Sequence, residues 1–81
     1  MKATIVDVRT PQEFQGGHVA GSVNIPLQEI HLHLDKLKSL PSPIILCCAS
    51  GIRSQQATSF LTSNGIDCKN GGSWLDVNAN F

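Results

Sequence analysis

The run Ile44-Ile45-Leu46-Cys47-Cys48 constrains the fold of this chain more than any other segment. It is apolar throughout, with no polar alternation, and lies between Pro41-Ser42-Pro43 and Ala49-Ser50-Gly51. A strand with one wet face alternates polar and apolar residues. One that does not alternate fits a sheet covered on both faces, as parallel sheets are. The flanking segments agree. Ala3 to Val8 reads as a second short strand, β-branched and apolar. Thr10-Pro11-Gln12-Glu13 carries an N-cap, a proline at the first helical position and a glutamate at the third, so a short helix is expected before Gly16-Gly17.

Gly21 to Ile25 is a further short apolar piece closed by Pro26. Leu27, Ile30, Leu34 and Leu37 then recur at helical spacing and predict one amphipathic helix. A helix is expected from Arg53 to Asn64, with Ala57, Phe60 and Leu61 inward and Gly65 as its stop. Ile66 to Lys69 reads as a last strand, Asn70-Gly71-Gly72 as a loop, and Ser73 to Val77 as a helical turn around Trp74. Strand and helix alternate, so the expected fold is α/β with a mostly parallel sheet, in one domain over residues 1–81. A domain this short has a small core and marginal stability.

Ligands of such sheets sit beyond the carboxyl ends of the strands. Cys48 ends the most buried-looking strand. A loop of small residues, Ala49-Ser50-Gly51-Ile52, follows it and leads into a helix near Arg53 and Ser54. Such a loop can turn successive backbone N–H groups inward as an anion-binding nest. The helix N-terminus adds donors and partial positive charge, and Arg53 a full one. These surroundings favour a thiolate, and they would equally hold a persulfide, the oxygens of thiosulfate, or a phosphate. A free cysteine at a strand end is otherwise most often a small buried hydrophobe. Gly51 and Arg53 tip the reading to catalysis, with Cys48 as nucleophile and Ala49, Ser50, Gly51, Ile52, Arg53 and Ser54 as the binding loop.

These residues resemble the rhodanese-like family. Cys48-Ala49-Ser50-Gly51-Ile52-Arg53-Ser54 looks like its active-site loop. Asp7-Val8-Arg9 with Pro11, Glu13 and Phe14 looks like its first signature, and Gly17 to Pro26 matches its second nearly throughout. Gly65-Ile66, Asn70-Gly71-Gly72 and Trp74 look like its C-terminal end. The resemblance implies a rhodanese-like fold, a short, mostly parallel sheet with helices on both faces. It implies sulfur transfer through a cysteine persulfide, from a donor such as thiosulfate to a thiol or cyanide, with no metal and no organic cofactor. Many members carry a strand and a helix ahead of the Asp-x-Arg segment; only Lys2 to Val6 precede it here, so the sheet is expected to lack that edge strand. Some members place Arg or Lys after the catalytic cysteine, where this chain has Ala49. That favours a persulfide donor, small or protein-borne, over thiosulfate, and keeps open a non-turnover persulfide relay serving a partner protein.

A rival reading starts at Cys47. Cys47 and Arg53-Ser54 have the Cys-x5-Arg-Ser spacing of tyrosine phosphatases. Gly51 is misplaced for that loop, no aspartate is placed as general acid, and Cys47 continues the apolar run.

The remaining candidates have plainer readings. Asp7 and Arg9 are expected to form an ion pair bracing the loop region. His18 reads as a hydrogen-bonded structural histidine. His31 and His33 point different ways on a helix, which disfavours a metal site. Cys68 reads as a core cysteine, with a resolving thiol as the alternative. Trp74 is equally a lid on the core or a cap on the pocket. Six basic residues balance six acidic ones, which gives no electrostatic footprint for nucleic acid or membrane surface. The first apolar run is too short, and broken by Asp7, for a secretory signal. Three cysteines, two adjacent, make a poor disulfide framework and fit a reducing compartment, so a cytoplasmic monomer is expected.

Overall fold

Among the described residues, four parallel strands form one sheet in the order β2-β1-β3-β4. They are β1 (Thr4–Asp7), β2 (Val23–Asn24), β3 (Ile44–Cys48) and β4 (Cys68–Ser73). Helices α1 (Pro11–Gln15), α2 (Leu34–Ser39), α3 (Ile52–Ser63) and α4 (Trp74–Asn80) connect or follow them. The computed structural model describes residues 3–80. Among these no helix is long and apolar enough to cross a membrane.

All five residues of β3 are buried, as the unbroken apolar run predicts. Its alternate side chains enter two layers. Ile44, Leu46 and Cys48 join Val6, Val8, Leu37, Ala57 and Leu61 under α2 and α3. Ile45 and Cys47 join Val19 and Val77, with Trp74 packed against them. Each fully buried aliphatic side chain contributes about 1.5–3 kcal/mol. The larger layer, between the sheet and α2 and α3, therefore carries most of the stability.

Three sequence expectations are corrected. The amphipathic helix over Leu27 to Leu37 is two pieces, a 3-10 stretch Leu27–His33 followed by α2. Leu27 and Ile30 stand three apart, which suits three residues per turn. Pro26 supplies no side-chain cap, and His33 leaves helical geometry at φ −121° and ψ 26°. Phe60 is 37% exposed rather than inward. The buried stripe of α3 is Ser54, Ala57 and Leu61, and Phe60 lies beside it.

The third correction matters most for the site. Asn70-Gly71-Gly72 is not a loop but the body of β4. Leu46 pairs with Asn70 and Cys47 with Gly72, so Gly71 is an inserted residue in a bulge. A Cβ on Gly71 would stand 2.6 Å from Val77 Cγ2 and 2.8 Å from Ile45 Cγ2. Only glycine lets β4 pass so close beneath α4. Glycine's poor strand propensity is also why the segment reads as a loop.

Candidate active site

β1, β3 and β4 end at one edge of the sheet, and α1, α3 and α4 begin there. Cys48, last residue of β3, has no exposed surface and lies beneath the exposed Ala49 and Ser50. The chain then turns at Gly51, which caps α3 in the left-handed region at φ 98° and ψ −8°. That turn aims donors back at the sulfur. The Gly51 amide donates to Cys48 Sγ at 2.9 Å, the Ser54 amide at 3.4 Å and the Ser54 hydroxyl at 3.5 Å. Burial, the largest single influence, pushes the thiol's pKa up. The Ser54 hydroxyl and the Ser54, Ser50 and Gly51 amides together outweigh it, and the net direction is down.

The helix amide of the cradle comes from Ser54. Arg53, expected to add its charge at the sulfur, makes no hydrogen bond to it. Its Nη1 donates to Glu13 Oε1 at 2.8 Å and its Nη2 to Glu13 Oε2 at 3.0 Å. Glu13 answers two purposes, since Oε1 also accepts from the Thr10 amide at 3.0 Å in the capping box. The hydrogen bonds from Arg53, then that from Thr10, hold its carboxyl down to about 2. Of the remaining loop residues, Ala49 and Ile52 turn their side chains to solvent, Ile52 with 69% exposure.

Asn70 is the residue that the loop reading of Asn-Gly-Gly hides. Its Oδ1 accepts from the Ser54 hydroxyl at 2.6 Å and from the Gly72 amide at 3.0 Å. Its Nδ2 donates to the Gly51 carbonyl at 3.0 Å. One amide thus ties the cradle to the bulged strand. Because the Ser54 hydroxyl has one proton, Asn70 and the sulfur compete for it.

Asp7 and Arg9 form the expected ion pair, with no hydrogen bond to Cys48 or its loop. Arg9 Nη2 donates to Asp7 Oδ2 at 2.8 Å, with both side chains at most 5% exposed. The same nitrogen reaches the Gly17 carbonyl at 2.7 Å, and the guanidinium lies 4.9 Å over the Trp74 ring. Asn24, in the Gly17 to Pro26 segment, donates to the carbonyls of Asp7 and Arg9. Trp74 packs against the smaller layer. His18 bonds the Phe14 carbonyl through Nδ1 at 2.7 Å and stacks on the Phe14 ring. Among the described residues no group of His, Cys, Asp and Glu is placed to hold a metal ion.

The other cysteines fall away from the cradle. Cys47 faces the opposite layer, and burial, then the Asp7 charge, pushes its thiol up to about 12. A phosphatase nucleophile must be a thiolate near neutral pH, so the reading built on Cys47 loses its nucleophile. Cys68 pairs with Ile44, four residues before Cys48. At strand spacing roughly 13 Å separates them, too far for a resolving thiol.

The cradle carries a prediction. A thiol whose pKa is held down alkylates in proportion to its thiolate fraction, so the rate rises with pH and levels above the folded midpoint. Removing the hydroxyl in Ser54→Ala should move that midpoint upward. Iodoacetamide kinetics on Cys48 against pH measure it; an unmoved midpoint means the proton stays with Asn70.

A family model described as Rhodanese-like domain matches residues 1–76. The chain is 39% identical over 64 residues to the protein YqhL of Bacillus subtilis (strain 168), covering 79% of this chain and 50% of that one. It is 36% identical over 67 residues to the thiosulfate sulfurtransferase GlpE of Ectopseudomonas mendocina (strain ymp), covering 79% of this chain and 58% of the relative. This chain therefore spans little more than half the length of these relatives. In structure it is similar to a rhodanese with anions from E. coli. The TM-score is 0.81 at 31% identity, over 91% of this chain and 89% of that one.

Proposed function

This chain belongs to the rhodanese-like family, and from that membership we propose that it is a sulfurtransferase carrying sulfur as a persulfide on Cys48. The observation that carries the reading is the convergence of the Gly51 amide and the Ser54 amide and hydroxyl on one sulfur at a strand's carboxyl end. The Cys48 thiolate attacks the outer sulfur of a donor. A bond forms between Cys48 Sγ and that sulfur, and the donor's own sulfur–sulfur bond breaks with its electron pair on the leaving group. From thiosulfate, sulfite leaves; from an organic persulfide, a thiolate leaves. A thiol or cyanide then removes the outer sulfur and returns the thiolate. The cradle's donors favour the anion at each stage, which is how such a site lowers the barrier. The relative named as a thiosulfate sulfurtransferase supports thiosulfate as one donor. The step needs no metal or organic cofactor, and a reducing compartment such as the cytoplasm would keep the three free cysteines reduced.

Exposure to thiosulfate or to cysteine persulfide, followed by an intact mass, tests this. A gain of one sulfur atom that cyanide removes is expected. No gain from either donor overturns turnover on small molecules. A second reading, a relay loaded by a partner protein, is favoured by Ala49, which adds no cation beside Cys48 to hold a small anionic donor. Loading only in the presence of a cysteine desulfurase separates the two.

A further inference from the structure

We propose that Glu13 is a specificity-determining residue of this site: by holding Arg53 in a two-pronged ion pair near Cys48, it biases the site toward organic persulfides and against thiosulfate. The proposal rests on the sulfur-transfer reading of Cys48 and narrows its donor class.

The segment Cys48 to Ser54 contains one charged residue, Arg53. For a dianionic donor, this guanidinium is the counter-charge that the loop itself offers. Both of its terminal nitrogens are already engaged, at 2.8 and 3.0 Å, by the two oxygens of Glu13. Arg9 is no substitute, since it is buried and held by Asp7 and the Gly17 carbonyl. What the cradle offers is therefore amides and a hydroxyl, with little uncompensated positive charge.

Glu13 is also not free to swing away. Its Oε1 accepts from the Thr10 amide at 3.0 Å and lies 3.1 Å from the Thr10 hydroxyl, which donates to it. The capping box fixes the carboxylate before any donor arrives. Arg53 and Glu13 are 35% and 36% exposed, so the ion pair is open to solutes. The Cys48 charge raises the Arg53 pKa, though less than the hydrogen bonds of Glu13 do. The guanidinium is thus within electrostatic reach of the sulfur, and its field there is offset by the carboxylate.

The two donor classes differ in the charge this field must meet. Attack of the Cys48 thiolate on thiosulfate joins its Sγ to the outer sulfur and expels sulfite, which departs with the bond pair and two negative charges. Attack on a protonated persulfide, R–S–S–H, gives Cys48–S–S–H and expels R–S⁻, with one. A cation shared with Glu13 penalises the first more than the second.

The test is steady-state kinetics on the full chain, with thiosulfate and with cysteine persulfide as donors and cyanide as acceptor. Glu13→Gln removes the charge and keeps a side chain that suits the capping box. It should lower the thiosulfate KM by about fivefold or more. The kcat/KM for cysteine persulfide should change by less than about twofold. Equal changes for both donors, or no fall in the thiosulfate KM, overturn the proposal. A structural role alone would lower both rates together. If Glu13→Gln does not fold, Ala49→Lys adds a cation at an exposed position beside the sulfur. A lower thiosulfate KM in Ala49→Lys but not in Ala49→Met supports the proposal, and no difference removes it. Wild-type protein that takes sulfur from neither donor overturns turnover on small donors, on which the proposal rests, a result distinct from wild type and Glu13→Gln that both turn over with one donor ratio.

Discussion

Cys48→Ser is expected to take up no sulfur from any donor. The serine hydroxyl fits the space and can accept from the Gly51 and Ser54 amides that now face Cys48 Sγ. It cannot ionise near neutral pH, and an oxygen cannot carry sulfane sulfur as a persulfide does. Loss of a nucleophile of this kind removes about a thousandfold or more of the rate. Intact mass after exposure to thiosulfate or cysteine persulfide measures it, and thermal unfolding checks that the fold survives. Cys68→Ser is the control. Cys68 sits at the other end of β4, opposite Ile44, so its loss should leave uptake unchanged. Sulfur found on Cys48→Ser protein would move the chemistry to another thiol.

Asp7→Ala is expected to cost about 3–5 kcal/mol of stability. The carboxylate has no exposed surface and takes hydrogen bonds from the Arg9 amide, Nε and Nη2. Truncation leaves a guanidinium, itself 4% exposed, without its counter-charge. Domains of this size have about 0.05–0.15 kcal/mol of stability per residue, so the loss is a large fraction of the whole. Urea denaturation gives the number. Adding Arg9→Met should recover part of it, because the cost lies in the unpaired charge. A loss below about 1 kcal/mol would mean that Arg9 finds water once Asp7 is gone.

Local chemistry was legible in the sequence. The apolar run of β3, the capping box at Thr10 and Glu13, the turn at Gly51 and the pairing of Asp7 with Arg9 all depend on residues close together in the chain. Long-range partners were not legible. Glu13 and Arg53 are 40 positions apart, and nothing in either segment says that a helix cap will also clamp the loop's only cation. Asn70 was hidden for another reason. A bulged strand with two glycines violates strand propensity, so the sequence points to a loop where Asn70 in fact forms the wall of the site. The 3-10 stretch has no separate signature, because spacings of three occur in both helix types.

The adjacent cysteines, finally, show what β3 decides. Side chains alternate along a strand, so its register against β1 and β4 determines which sulfur meets the loop's amides and which is sealed among Val19, Ile45 and Val77. A slip of one residue would exchange their fates, giving Cys47 the donors and Cys48 the wall. Which of the two thiols meets the cradle is decided less by the identity of an amino acid than by the parity of its position.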